Sequence, residues 1–298
     1  MGGLMTAPTA PTLLYGPAGP LAFDRPRVMG ILNVTPDSFS DGGAHDRVDR
    51  AVARARQMQD EGADLIDVGG ESTRPGAEPV SLAEERCRVL PVLEALAAEV
   101  SLPVSVDTMK PEIMRDAVRA GAAMLNDVNA FRRPGAEEEA VAAAREHGVA
   151  LCVMHMQGEP QSMQHAPHYG DVTAEVRAFL DARCSALQAA GVPPDRLVVD
   201  PGFGFGKTLE HNLELFRHLP DLVGDGWPVL VGVSRKSMIG ALLGQRPVTE
   251  RGSGSVAAAL LAAQQGARIL RVHDVAATAD ALAIYSALDP RGTDGVMS

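Results

Sequence analysis

Asp46 to Val68 reads DRVDRAVARARQMQDEGADLIDV, and the layout of this stretch decides the fold. From Asp46 to Glu61 apolar side chains recur at helical spacing among charges. Gly62 then supplies the left-handed turn that ends a helix, and the apolar run Asp64 to Val68 comes next as a strand. The same phrase, helix then Gly then Ala or Val then apolar strand, returns at Gly121-Ala122, Gly148-Val149 and Gly266-Ala267.

Working outward, the strand runs are VMGIL (Val28 to Leu32), DLIDV (Asp64 to Val68), PVSV (Pro103 to Val106) and AMLN (Ala123 to Asn126). They continue with VALCVMH (Val149 to His155), RLVVD (Arg196 to Asp200), PVLVGV (Pro228 to Val233) and RILRV (Arg268 to Val272). The helical patterns between them include Ser81 to Glu99, Lys110 to Ala120, Glu137 to His147 and Val172 to Ala190. Eight buried strands joined through one recurrent helix-to-strand turn describe repeated βα units and a parallel sheet. No point of reversal appears in the order of units, so the sheet is expected to close. The expected fold is α/β, a single-domain (β/α)8 TIM barrel with its site at the C-terminal strand ends. An open doubly wound sheet is the alternative.

The chain of 298 residues has a length suited to one such barrel. Its net charge of −11 argues against a nucleic-acid partner, which needs a positive field. An anionic small molecule must therefore be captured by a few local cations and backbone N–H groups. Cys87, Cys152 and Cys184 have no metal or redox spacing and read as reduced thiols of a cytoplasmic protein. No apolar run is long enough to cross a membrane, and no signal peptide is recognised. Residues 1–20, rich in Pro, Ala, Thr and Gly, read as a flexible tail or in part as a short hairpin plugging the barrel floor. The barrel itself is expected over residues 21–290.

The polar residues at the end of each apolar run locate the chemistry. The successive strand ends carry Asn33; Glu71, Ser72 and Thr73; Asp107; Asn126 and Asp127; His155; Asp200; Ser234, Arg235 and Lys236; and Arg271 and His273. Any one of these is explained as a strand end or a helix cap. Together they would converge on one mouth and make a polar pocket. Asp107, Asn126 and Asp200 suit a flat, nitrogen-rich heterocycle that both donates and accepts hydrogen bonds. Lys236 and Arg271 add donors, and a guanidinium also stacks on a π face. Asn33, Arg271 and His273 fall on strands that become neighbours on closure, and with the helix starting near Asp274 they form an anion site.

Two long loops, Asn33 to Gly43 and Gly69 to Gly76, have the Gly, Pro and Ser content of segments that close over a substrate. The run Pro201 to Thr208 (PGFGFGKT) imitates a phosphate-cradling loop but is one residue short, and reads as a Gly-rich strand-to-helix turn. His165 and His168 read as loop residues rather than metal ligands, and Gly252 to Ser255 as the start of the helix before the last strand.

MGILNVTPDSFSDGG (Met29 to Gly43) and GGESTRPG (Gly69 to Gly76) resemble the two signature loops of the dihydropteroate synthase family. Asp107-Thr108, Asn126-Asp127, Asp200 to Lys207, Ser234 to Lys236 and Arg271 to His273 resemble its remaining motifs, so the likeness runs from about Arg27 to about Tyr285. The resemblance implies an enzyme that joins 6-hydroxymethyl-7,8-dihydropterin diphosphate to p-aminobenzoate, releasing pyrophosphate. It implies a pterin pocket of Asp107, Asn126, Asp200, Lys236 and Arg271, with Arg271 stacked on the ring. Asn33, Arg271 and His273 would hold the diphosphate, with Asn33 also a ligand of Mg2+. Thr73, Pro75, Phe205 and Ser237 would flank p-aminobenzoate. Lys236, Arg271 and Asp41 would act in the chemistry, Asp41 offsetting the charge of a pterin cation. A homodimer through the late helices is implied as well. The rivals are a methyltetrahydrofolate-dependent corrinoid methyltransferase and an inactive pterin-binding paralogue.

Overall fold

In every barrel strand alternate residues face opposite ways, and this period of two separates a shell of apolar side chains from a lining that changes from apolar to polar. The computed structural model describes residues 13–16, 19–23, 25–35, 44–72, 76 and 78–288. A hairpin of β1 (Leu13–Gly16) and β2 (Gly19–Ala22) comes first. The barrel strands are β3 (Arg27–Asn33), β4 (Leu65–Gly69), β5 (Val104–Asp107), β6 (Met124–Asp127), β7 (Ala150–Met154), β8 (Leu197–Asp200), β9 (Leu230–Val231) and β10 (Ile269–Val272). Between and after them lie α1 (Ala44–Asp60), α2 (Leu82–Glu99), α3 (Pro111–Arg119), α4 (Ala136–His147) and α5 (Val172–Ala189). The series ends with α6 (Leu209–Arg217), α7 (Leu219–Val223), α8 (Ser237–Leu242), α9 (Gly252–Gln264) and α10 (Val275–Leu288).

The sheet runs β8-β7-β6-β5-β4-β3-β10-β9, and the pairings within it are parallel. A parallel bridge between Val199 and Val229 joins the two ends, with the Val199 N–H donating to Pro228 O at 3.0 Å. The sheet therefore closes, as expected, and β3 and β10 are neighbours. β9 is shorter than the run Pro228 to Val233. Pro228 has no N–H to give a ladder, and Val229 serves the bridge to β8 while its carbonyl accepts from Arg268 and Ile269.

Outward-facing Val28, Leu32, Ile66, Val68, Val104, Val106, Leu125, Leu151, Val153, Val199, Val231 and Leu270 pack in one core with the helices. Inward-facing Met29, Leu65, Met124, Ala150, Cys152, Val198, Leu230 and Ile269 form a second, separate cluster with Phe23, against which Leu21 packs. This second cluster is the barrel floor. Its plug is the end of the hairpin, so a boundary drawn between a tail ending at Pro20 and a barrel from Leu21 cuts through the paired strand β2. Residues 1–12 lie outside the described residues.

The helix ends obey their local chemistry. Ser81 caps α2 by accepting from the Glu84 N–H, and Asp171 caps α5 through Ala174. Gly148 closes α4 with φ of 67°, and the other turn glycines, Gly62, Gly121, Gly191 and Gly266, are left-handed too. Among the described residues, no helix is long and apolar enough to cross a membrane.

Candidate active site

Counting inward positions along the strands takes each one from floor to mouth. β3 passes from Met29 through Ile31 to Asn33, β4 from Leu65 through Asp67 to Gly69, and β10 from Ile269 to Arg271. Ladder partners Asn33 and Gly69, Gly69 and Asp107, then Asp107 and Asn126 succeed one another around the rim. Gly69 leaves space there: a Cβ on it would stand 3.7 Å from Asn33 Oδ1 and 3.9 Å from Asp107 Oδ2.

Arg271 occupies the centre. Its Nε donates to Asp67 Oδ2 at 2.6 Å and its Nη2 to Asp107 Oδ2 at 2.9 Å. Asn126 Nδ2 donates to the same Asp67 oxygen at 3.4 Å. Burial works against the Arg271 charge, but Asp67 and Asp107 outweigh it and raise the pKa further. Burial pushes Asp107 up to about 7 despite the pull of Arg271, with Asp67 adding to the rise. Asp67 is hidden in the sequence, where it sits inside an apolar run. The signal that finds it is the period-two count, which turns it inward between Leu65 and Gly69.

Asp200 and Lys236 complete the pocket across the barrel. Asp200 accepts from the Gly202 N–H at 2.7 Å, and burial raises its pKa while Lys236 lowers it. Lys236 Nζ donates to Phe203 O and lies 4.4 Å from the centre of the Phe205 ring. Burial lowers its pKa to about 8, against the pull of Asp200. The expected heterocycle residues Asp107, Asn126, Asp200, Lys236 and Arg271 thus line one barrel mouth, with Phe205 beside Lys236.

The remaining residues expected at the site are more dispersed. His273 comes just after β10, with both its N–H and ring Nδ1 within hydrogen-bond reach of Ser234 Oγ, at 3.2 and 3.1 Å. Ser237 is exposed and begins α8. Asp41, Thr73 and Pro75 lie outside the described residues, as does the middle of the first long loop. Two other polar strand ends are structural. Asp127 accepts from the N–H groups of Asn129 and Phe131, at 2.8 and 2.7 Å, holding a turn in which Ala130 and Phe131 have positive φ. Arg235 spends its guanidinium on Asp274, whose Oδ2 it meets at 3.0 Å.

The PGFGFGKT run is a strand-to-helix turn, as its spacing suggests. Lys207 is 3% exposed and aims inward, with Nζ 3.0 Å from Gly202 O, 3.1 Å from Phe205 O and 2.9 Å from His155 Nδ1. Burial lowers Lys207 to about 7, and burial plus the neighbouring lysine lowers His155 to about 2, so His155 is neutral. A further buried group has no signature in the sequence. Lys110 pairs with Glu71 and Glu85, Thr108 Oγ1 donates to Glu85 at 2.6 Å, and Arg88 donates to Gly70 O at 2.9 Å. This group ties the start of the second long loop to α2 and α3. Its members lie on different elements, so no local pattern announces it.

Comparison with known proteins identifies the family. Residues 29–273 match the family model described as pterin binding enzyme. The dihydropteroate synthase of Escherichia coli (strain K12) is 50% identical over 274 residues, covering 92% of this chain and 95% of its own. That of Neisseria meningitidis serogroup C is 51% identical, covering 90% and 94%. Among solved structures, Xanthomonas albilineans dihydropteroate synthase with 4-aminobenzoic acid superposes with a TM-score of 0.86 at 54% identity, over 94% of this chain and 98% of that one. The Xanthomonas albilineans enzyme in complex with 7,8-dihydropteroate gives 0.83 at 52% identity, over 93% and 98%.

The turn after β8 sets a stability test. Gly202 has φ of +68°, and a Cβ there would stand 1.9 Å from His155 O, whereas Gly148, at +67°, has open space around it. Gly148→Ala should cost about 1–2 kcal/mol for the left-handed backbone alone. Gly202→Ala should cost at least about 3 kcal/mol, since backbone must also move. Denaturant unfolding of the two variants measures the difference, and equal losses would contradict the close packing of this turn.

Proposed function

The chain belongs to the dihydropteroate synthase family of pterin-binding enzymes, and from that premise we propose how its pocket divides the work. The reaction condenses 6-hydroxymethyl-7,8-dihydropterin diphosphate with p-aminobenzoate, giving 7,8-dihydropteroate and pyrophosphate in folate biosynthesis. The observation that carries the assignment is the gathering of Asp107, Asn126, Asp200, Lys236 and Arg271 around one barrel mouth.

Asp107, Asn126 and Asp200 accept from and donate to the edge of the pterin ring. Lys236 donates to a ring carbonyl or nitrogen, and Arg271 lies against the π face. Asn33, Arg271 and His273 bind the diphosphate, next to the start of α10. Thr73 and Pro75 on the second loop, with Phe205 and Ser237, flank the p-aminobenzoate. In the step itself the carbon–oxygen bond to diphosphate breaks, the amine nitrogen bonds to the same carbon, and the proton the amine loses passes to solvent as pyrophosphate leaves. The arylamine attacks as a neutral nucleophile, so positioning and charge stabilisation suffice without a strong base. Asp41 offsets the positive charge of the pterin as the leaving group departs.

Mg2+ fits the donor set. Among the described residues no group of three His, Cys, Asp or Glu side chains forms a metal cage, and Mg2+ commonly takes few protein ligands alongside substrate phosphates. Asn33, whose Oδ1 sits on the rim 3.7 Å from where a Cβ on Gly69 would stand, would hold the ion, which would neutralise charge on the diphosphate. Exposed Leu242, Val248, Leu261, Ile284 and Leu288 on α8, α9, α10 and the turn before α9 support a homodimer through this side. The unpaired thiols Cys87, Cys152 and Cys184 suit a reducing cytoplasm.

The purified protein should consume p-aminobenzoate when given the pterin diphosphate and Mg2+. Asp200→Asn should lower turnover and pterin binding at least tenfold, about the worth of one charged hydrogen bond; near wild-type values would refute the pocket. Lys236 donates only while protonated, so kcat/KM for the pterin should fall above about pH 8. Lys236→Arg, which keeps its charge, should flatten that alkaline limb, and an unchanged limb would rule out Lys236 as its source. Light scattering should give twice the chain mass for the native protein and the single-chain mass for Ile284→Glu. A monomeric native protein would remove the dimer.

A further inference from the structure

Asp67 lies one inward position below the rim, fully buried, and belongs to none of the roles assigned above. Its Oδ2 accepts from Arg271 Nε at 2.6 Å and from Asn126 Nδ2 at 3.4 Å. We propose that Asp67 is a positioning residue for pterin recognition, fixing the plane of the Arg271 guanidinium and the orientation of the Asn126 amide. The proposal rests on the pterin reading of this pocket.

The hydrogen-bonding capacity of each group sets the orientation. An ionised carboxylate only accepts, so the Asn126 amide must turn its NH2 end toward Asp67. The opposite end, the carbonyl oxygen, is left to face other donors, and a ring N–H is such a donor. Arg271 is gripped at Nε from β4 and at Nη2 from β5. A planar group held at two nitrogens by two strands cannot turn about its stem. One carboxylate beneath the site therefore orients a stacking cation and a hydrogen-bonding amide together.

Stability does not account for Asp67. Its Oδ1 has no hydrogen-bond partner among the described residues, and neither has Ser105 Oγ, its neighbour across the ladder. A buried ion pair with an unmatched oxygen is commonly no better for folding than apolar side chains of similar volume. Only the side of Asp67 that faces Arg271 and Asn126 is used.

The test is calorimetric titration of 6-hydroxymethyl-7,8-dihydropterin diphosphate into wild type, Asp67→Asn, Arg271→Ala and the double variant. Wild type should bind; no binding would overturn the pterin reading and this inference with it. Asp67→Asn, an isosteric change read alongside its melting temperature, should weaken binding about tenfold to a hundredfold. In the Arg271→Ala background the same change should cost at most about threefold, because the main group it orients is gone. Asp67→Ser, which removes the carboxylate without enlarging the side chain, is held to the same thresholds. An Asp67 variant that binds within about threefold of wild type overturns the proposal. So does a penalty of equal size in both backgrounds, the mark of a general structural effect.

Discussion

A guanidinium gripped by two carboxylates inside a closed barrel is the interaction on which the rest of this site depends. Arg271 reaches from β10 to Asp67 on β4 and Asp107 on β5, so it ties together strands that β3 separates from β10 in the sheet order. The Arg271 cation can lie so deep only because the carboxyl groups it meets partly neutralise it. Their low-dielectric surroundings also strengthen every polar contact a ligand makes there. The parallel pairings β5-β4-β3-β10 bring Arg271 beside Asp67 and Asp107, and the Val199 to Val229 bridge closes the barrel on the side of β8 and β9.

Much of the fold is legible in the sequence because it is written in local, repeated terms. The helix-Gly-strand phrase marks the units, and the eight barrel strands begin and end within two residues of the apolar runs. Most rim residues are legible for the same reason: Asn33 and Asp107 directly follow apolar runs, Asn126 and Asp200 end theirs, and Lys236 closes the short polar stretch after Val233. The features that escape such a reading are non-local. Asp67 sits within an apolar run, and only its inward register, with a partner on β10, gives it meaning. The Lys110, Glu71 and Glu85 group draws on the segment after β4, on α2 and on the turn before α3, and no sequence spacing relates those positions. Asp127 and Arg235 are legible as polar strand ends, but their hydrogen bonds turn them to structural service.

The Gly-rich turn after β8 shows how similar letters serve opposite ends. In a phosphate-cradling loop the backbone N–H groups and a lysine face the ligand. Here Lys207 faces backward, onto Gly202 O, Phe205 O and His155, and the glycines let the turn lie against the end of β7. With Lys207 fastening it from behind, the turn presents Asp200, Phe203 O and Phe205 to Lys236 in front. The loop's cation is a fastening, and the cation at the pocket, Lys236, comes from the next strand end.

The proposed diphosphate site must work in a chain of net charge −11. The pocket holds three carboxylates, Asp67, Asp107 and Asp200, against Arg271 and Lys236, an excess of negative charge that would repel a diphosphate placed among them. Two of these carboxylates, Asp67 and Asp107, share one cation, Arg271, and the third accepts from the Gly202 N–H with Lys236 lowering its pKa. Asn33 and His273 lie on the β3 and β10 side of the mouth, where α10 begins and its N-terminal dipole favours negative charge. In the proposed division of the pocket, acidic groups for a neutral heterocycle and polar groups for an anion share one mouth because strand order places them on different arcs of the rim.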